Sequence, residues 1–244
     1  MINPLKEFYT EQYYIDRGYT FENRMPIIRY IAQLFVDTFK PKTSLDVGCA
    51  KGYLVRSLLE LGVDAYGFDI SAAAVHSSPD LATRLHVADA EYDTFAFPEK
   101  HFDLITSTEC MEHLIHPEFT VREMSRVIKT GGFVLISSPA ITVWRKLYQA
   151  LFGGSVLHPS ELKKEEWISI FEEYGFYYMC DLFDGLKHSE KKEYKKRLKV
   201  AATGMPPALG VGRVLCKLGK AGNNLRAELN LLVWKSQNLI FIKE

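Results

Sequence analysis

TSLDVGCAKGYLVRSLLELG, residues 43–62, passes from a short apolar run through a glycine turn carrying an acid and a thiol, then directly into an amphipathic segment. Thr43 to Val47 reads as a buried strand, and Leu54, Val55, Leu58, Leu59 and Leu61 fall on one face at helical spacing. Gly48 and Gly52 could serve any strand-to-helix crossover as plain turn residues, so the rest of the chain has to decide what this turn is for.

The alternation continues on both sides. Upstream, Ile27, Ile31, Leu34 and Phe35 share a helical face over residues 26–39, and Pro41 stops that helix before the strand. Downstream, DAYGFDI (64–70), RLHVADA (84–90), FDLITST (102–108) and GFVLISSP (132–139) are short, β-rich and separated by helical or polar connections. Ser160 to Tyr174 is a further helix, with Trp167, Ile170, Phe171 and Tyr174 on one face and Gly175 placed as its cap. Strands near FYYMCDLF (176–183) and NLIFIKE (238–244) bring the number to seven. Strands joined by helical crossovers predict an α/β fold, a Rossmann-like, doubly wound and mostly parallel seven-stranded sheet. Residues 1–40 read as a helical, aromatic lid, and 41–185 with 239–244 as the core. Residues 186–238 are too long for an ordinary turn and read as a helical insertion, a cover over a substrate.

Composition narrows the class. The 244 residues are 47% hydrophobic and 13% aromatic, enough for a full core, and 30 basic residues balance 30 acidic ones. That balance leaves no global field to draw in nucleic acid, so a small-molecule ligand is the better expectation. MINPLKEFYTEQYY lacks a basic region followed by an apolar run, and no apolar stretch approaches membrane-spanning length, so a cytoplasmic protein is expected. Cys49, Cys110, Cys180 and Cys216 form no CxxC pair, which points to reduced thiols.

In open α/β sheets ligands sit beyond the carboxyl ends of the strands, so the residues ending each strand carry the function. Strand one runs into Asp46, Gly48, Cys49, Ala50 and Gly52, strand two ends in Asp69, strand three in Asp89, and strand four in Ser107, Thr108 and Glu109. Buried carboxylates without donor partners cost several kcal/mol each. A ligand bearing hydroxyls and amines would supply those donors.

With these residues the chain resembles the class I S-adenosylmethionine-dependent methyltransferase family, in particular its small-molecule and quinone-type branch. The resemblance runs from Thr43 to about Pro139 and resumes loosely in HPSELKKEEWISIFEEYGF. It implies that the turn LDVGCAKG, with Asp46, Gly48, Cys49, Ala50 and Gly52, passes under the methionine part of the cofactor. It further implies that Asp69 binds the ribose hydroxyls with Ile70 beside the adenine, and that Asp89 with Ala90 meets the adenine amino group. ECMEHL is similar to the family's EVLEHL-like segment and puts Glu109 near the cofactor, with Glu112 and His113 close behind. Ala50 stands where the family has its central glycine. The small residues of the turn are expected to let backbone N–H groups approach a zwitterionic tail.

The resemblance implies methyl transfer from S-adenosylmethionine to an O or N atom of a natural product, sugar or quinone-like acceptor, releasing S-adenosylhomocysteine. The alternatives are a non-catalytic scaffold of the same fold or a nicotinamide-dependent oxidoreductase. The latter wants G-x-G-x-x-G, and Ala50 and Tyr53 break that pattern. No glycine-lysine-Ser/Thr triplet follows the turn, which excludes a P-loop. A hydroxyl or ammonium acceptor must lose a proton, for which His113 and His158 are the candidate bases, with Glu109 as the third candidate catalytic residue; a carboxylate acceptor needs none. His113 and His116 lack a third partner at useful spacing, so no metal is expected. Tyr14 and Arg24 are expected to line the cofactor site from EFYTEQYYIDRGYTFENR (7–24). Residues 187–220 combine lysines with apolar positions, but Pro206, Pro207, Gly210 and Gly212 interrupt any amphipathic helix, so a substrate cover is favoured over membrane contact.

Overall fold

A computed structural model describes residues 5–139, 159–182 and 236–244. In chain order the helices α1 (Leu5–Phe8), α2 (Glu11–Asp16) and α3 (Phe21–Phe39) precede strand β1 (Thr43–Val47), and α4 (Tyr53–Glu60), β2 (Asp64–Asp69), α5 (Ala72–His76) and β3 (Leu85–Val87) follow it. Next come β4 (Phe102–Thr108), α6 (Pro117–Val127), β5 (Ile128–Pro139), α7 (Lys164–Glu173), β6 (Phe176–Asp181) and β7 (Ser236–Lys243).

The strands form one seven-stranded sheet in the order β3-β2-β1-β4-β5-β7-β6. The β1, β2, β3, β4 and β5 pairs are parallel, whereas β7 runs antiparallel between β5 and β6. This is the doubly wound, mostly parallel sheet that the alternating pattern predicts. Strand order reverses between β1 and β4, which opens the ligand crevice at their carboxyl ends.

Period-two alternation explains why both faces are covered. Leu45, Val47, Ile105, Val134, Ile136, Leu239 and Phe241 pack with Val121 and Met124 of α6 and with Trp167 and Phe171 of α7. On the other face Leu104, Leu135 and Ile240 pack with Ala32, Leu34 and Phe35 of α3 and with Leu54, Val55 and Leu58 of α4. Phe171 stacks on Phe241 with ring centroids 4.0 Å apart and planes at 8°, so α7 is pinned to β7 as well as to the core. Because α3 belongs to this core, α1 and α2 are the helices left over the crevice.

Some boundaries differ from the sequence reading. Helix α3 starts at Phe21 rather than 26, because Thr20 Oγ1 accepts from Asn23 N as an N-cap and Pro26 is accommodated inside the helix. Strand β3 ends at Val87 because Asp89 turns the chain, its Oδ1 accepting from Glu91 N at 3.0 Å. Strand β7 begins at Ser236, ahead of Leu239. His158, residues 187–220 and all of the 186–238 segment before 236 lie outside the described residues. Among the described residues no helix is long and apolar enough to cross a membrane.

Candidate functional site

The turn after β1 is built by close packing. Gly48 has φ +78°, and a Cβ there would lie 2.5 Å from Cys110 Sγ and 2.6 Å from Cys110 Cβ. Gly52 has φ +70°, and its Cβ would lie 2.6 Å from Leu85 Cδ1. Ala50 sits between them at φ +47°, a left-handed conformation that costs an alanine roughly 1–2 kcal/mol. The amides of this turn are used within the protein. Gly48 N and Cys49 N donate to Phe68 O at 2.9 and 3.0 Å, Gly52 N to Cys49 O at 2.8 Å, and Ala50 N to Asp69 Oδ2 at 2.8 Å. The sequence reading aimed these N–H groups at a ligand; in the structure they close the turn, and the glycines serve its contacts with Cys110 and Leu85.

Acids at three strand ends face the crevice. Asp46 is buried on β1 and its Oδ1 accepts from Thr106 Oγ1 at 2.7 Å. Burial pushes its carboxyl up to about 7, with nearby Asp69 adding to the rise and the Thr106 bond opposing it. Asp69, also buried, accepts from Ala50 N through Oδ2 and from Ser71 N through Oδ1, both at 2.8 Å, and burial still raises its carboxyl above the ordinary value. Ile70 is half-buried between Asp69 and Ser71. Beyond β3, Asp89 and Ala90 are buried, and Ala90 O accepts from Thr120 Oγ1 at 2.8 Å. Burial also drives the Cys49 thiol far up, which keeps it protonated and unreactive.

The sequence reading passed over Glu91. It is 3% exposed, and its Oε1 accepts from Ile115 N at 3.0 Å and His116 N at 2.7 Å, fixing the loop that leads into α6. An acid two residues past Asp89 offers no spacing signal, since its partners lie on a different crossover.

Beyond β4 the chain turns sharply. Glu109 adopts φ +53°, its N donates to Ser137 O at 2.7 Å, and its Oε1 accepts from Ser137 Oγ at 3.2 Å. A non-glycine residue in this region is backbone strain held by its surroundings, a feature that clusters at functional sites. Cys110 and the 3₁₀ turn Met111–His113 follow, with Glu112 buried and its Oε1 3.9 Å from His113 Nε2.

The N-terminal segment closes over this rim. Tyr14 is buried under Lys51, whose Nζ lies 5.7 Å from the ring centroid. Tyr19 stacks on Tyr53 at 5.4 Å and 7°, and the Arg24 guanidinium lies 4.9 Å from the Tyr19 ring centroid. Burial raises the phenols of Tyr14 and Tyr19; Asp69 raises both further and Asp46 raises Tyr19, which places these rings beside the strand-end acids. Arg24 Nε is buried without a hydrogen-bond partner among the described residues, and Glu109 is one of the charges that Arg24 senses. The structure thus gathers Asp46, Asp69, Asp89, Glu109, His113, Tyr14 and Arg24 at one edge of the sheet. Among the described residues no group of three or more His, Cys, Asp or Glu is placed to hold a metal ion.

Comparison with known proteins agrees with this architecture. A family profile described as "Methyltransferase domain" matches residues 20–180. The ubiquinone biosynthesis O-methyltransferase of Hydrogenovibrio crunogenus is 31% identical over 117 residues, 46% of this chain and 47% of the relative. The malonyl-[acyl-carrier protein] O-methyltransferase of Paenibacillus sp. is 26% identical over 149 residues, 54% of each. The chain therefore spans about half the length of the curated relatives it matches. The solved magnesium protoporphyrin IX methyltransferase of Synechocystis superposes with a TM-score of 0.58 at 13% identity, covering 91% of this chain and 84% of that one, a likeness of fold. A profile match over most of the chain, on a sheet of this topology, shows that the protein belongs to the methyltransferase domain family of the class I, S-adenosylmethionine-dependent type.

Proposed function

We propose that the protein transfers a methyl group from S-adenosylmethionine to an oxygen of a small hydroxyl-bearing acceptor of phenolic or quinol-like kind, releasing S-adenosylhomocysteine. The observation that carries this reading is the chemistry of the strand ends: buried acids at the ends of three neighbouring strands, with Tyr19 beside two of them and, over Tyr19, the Arg24 guanidinium, whose Nε is buried without a hydrogen-bond partner among the described residues.

That set fits the cofactor. Each Asp69 oxygen holds one backbone N–H and keeps a second lone pair, so the carboxylate would take a vicinal diol. Asp89, with Ala90 beside it, would meet an exocyclic amine. Asp46 would gain its ionised form beside an ammonium group, and Arg24 Nε would find the acceptor it lacks in a carboxylate. When bound, the cofactor supplies an already activated sulfonium methyl. The chain's own task is then to hold the acceptor in line and exclude water, an effect worth up to about 7–11 kcal/mol. Tyr14, Tyr19 and Arg24 close the crevice, and His113 is the described histidine at the rim suited to receive an acceptor's proton. His158 is the other candidate base, and the 186–238 segment the candidate cover.

Two features weigh against the oxidoreductase reading: Ala50 and Tyr53 in the turn, and an antiparallel β7 between β5 and β6 where a dinucleotide sheet continues in parallel order. An oxygen acceptor is supported by the names of the curated relatives. The test is incubation with isotopically labelled S-adenosylmethionine and a panel of catechols, sugars and primary amines, read by mass spectrometry. Methylation at phenolic oxygen is expected. Products confined to the amines would overturn the oxygen assignment, and cofactor binding with no product from the panel or from a metabolite extract would favour the scaffold reading.

A further inference from the structure

Tyr9 joins two sides of the crevice that are otherwise far apart in sequence. It lies between α1 and α2, and its carbonyl accepts from Ser71 Oγ at 2.5 Å, two residues past Asp69. Its hydroxyl lies 3.1 Å from His113 Nδ1, beyond β4. The phenol ring packs edge-on to His113 at 5.8 Å and to Tyr13 at 4.9 Å, so its hydroxyl is aimed by the rings around it.

Which partner donates follows from the far side of the imidazole. Nε2 faces Glu112 Oε1 at 3.9 Å, and Glu112 is 1% exposed. A neutral imidazole presenting the lone pair of Nε2 to that carboxylate would be repelled by it, whereas an Nε2–H is attracted. With the proton on Nε2, the form this contact favours, Nδ1 carries the lone pair and Tyr9 Oη donates to it. Tyr9 keeps its proton for this purpose, since burial raises its phenol and Tyr13, Cys110, Glu112 and Asp69 raise it further.

We propose that Tyr9 is a positioning residue: its hydroxyl holds His113 in the Nε2–H tautomer while its carbonyl ties the N-terminal segment to Ser71, so that closing the segment and placing the imidazole proton are one event. In this arrangement the Nδ1 lone pair already accepts the Tyr9 hydroxyl, so a proton reaches it by relay, Tyr9 Oη taking one proton as it passes its own to Nδ1, while Glu112 faces the side that stays protonated, the acid-histidine pairing by which a base is oriented. The consequence for catalysis rests on the methyltransferase reading above. The arrangement itself is a property of the free protein and is tested there.

The experiment is nitrogen-15 NMR of the His113 ring, with amide hydrogen exchange over residues 5–16, in the parent, Tyr9→Phe and Tyr13→Phe. The phenylalanine keeps the ring packing and removes only the hydroxyl. The parent is expected to show the Nε2–H tautomer. Tyr9→Phe should give a mixture of both tautomers and exchange roughly two- to tenfold faster over 5–16, the factor one net hydrogen bond supplies. Tyr13→Phe, which removes a neighbouring hydroxyl from the same segment, should leave the tautomer unchanged. An Nδ1–H tautomer in the parent, no tautomer change in Tyr9→Phe, or an equal change in Tyr13→Phe would each overturn the proposal. A failure of methyl transfer with these ring signals as expected would instead count against the function proposed above.

Discussion

Substituting Gly48 by alanine tests the packing of the turn against a number. Two terms oppose the change. The residue sits at φ +78°, where a Cβ costs roughly 1–2 kcal/mol. The added methyl would stand 2.5 Å from Cys110 Sγ and 2.6 Å from its Cβ, and overpacking of this kind costs roughly 1–3 kcal/mol as the neighbours shift. The smaller conformational freedom of alanine in the unfolded chain returns about 0.4–1 kcal/mol. The net expectation is a loss of about 3 kcal/mol, which for a chain of this size lowers Tm by roughly 6–12 °C. Denaturant unfolding of four proteins separates the terms: the parent, Gly48→Ala, Cys110→Gly and the double variant. With the Cys110 side chain gone, Gly48→Ala should cost only about 1 kcal/mol, because the backbone term alone survives. A loss below about 1 kcal/mol in the parent background, or an equal loss in both backgrounds, would refute the packing account.

Three further outcomes are expected. The Asp46 carboxyl is raised in the folded state, so its contribution to stability is complete at low pH and is lost as pH rises from the ordinary carboxylate range towards about 7; Asp46→Asn should flatten that decline and unfold at higher urea than the parent at pH 8, as urea titrations at pH 5 and 8 will show. Asp69→Ala removes the acceptor for the amides of Ala50 and Ser71 together with the proposed diol site, so calorimetry should find S-adenosylhomocysteine binding weakened at least about tenfold and stability lower by about 1–3 kcal/mol. Arg24→Met keeps much of the side chain's packing on Tyr19 but removes the guanidinium, and should weaken the same binding while shifting Tm by less than Asp69→Ala does.

The parts of the fold legible in sequence are those whose cause is local. Thr43–Val47 and Phe102–Thr108 end where they were read, because each is an apolar run closed by a turn or a strained residue. Helix α3 begins ahead of the periodic stretch 26–39 because Thr20 caps it at Phe21, outside the run of apolar positions that marks its buried face. The strand-end acids were legible because a parallel sheet delivers every such residue to one edge. What stayed hidden is long-range. Tyr9 and His113 are 104 residues apart, Glu91 holds amides 24 and 25 residues away, and Gly48 meets Cys110 only because β1 and β4, far apart in sequence, are neighbours in the sheet. The turn's amides were misdirected for the same reason: their acceptors, Phe68 O and Asp69 Oδ2, lie on the next strand and carry no mark in the turn itself.

The position of β7 has a consequence for the order in which the protein can be made. As the chain leaves the ribosome, the β3-β2-β1-β4-β5 part of the sheet can assemble, but β6 has no neighbour to pair with, since the strand that joins it to β5 is encoded last among the described strands. The 53 positions from 183 to 235 must be synthesised first, roughly 3–10 s at ordinary rates of elongation. Throughout that interval the β5 edge, with Leu135 and Ile136, stands open, and Trp167 and Phe171 of α7 lack Phe241 as their support. A nascent chain in this state offers both a sticky strand edge and an exposed aromatic face, so chaperones should engage it most strongly between the appearance of β6 and that of Ser236–Lys243.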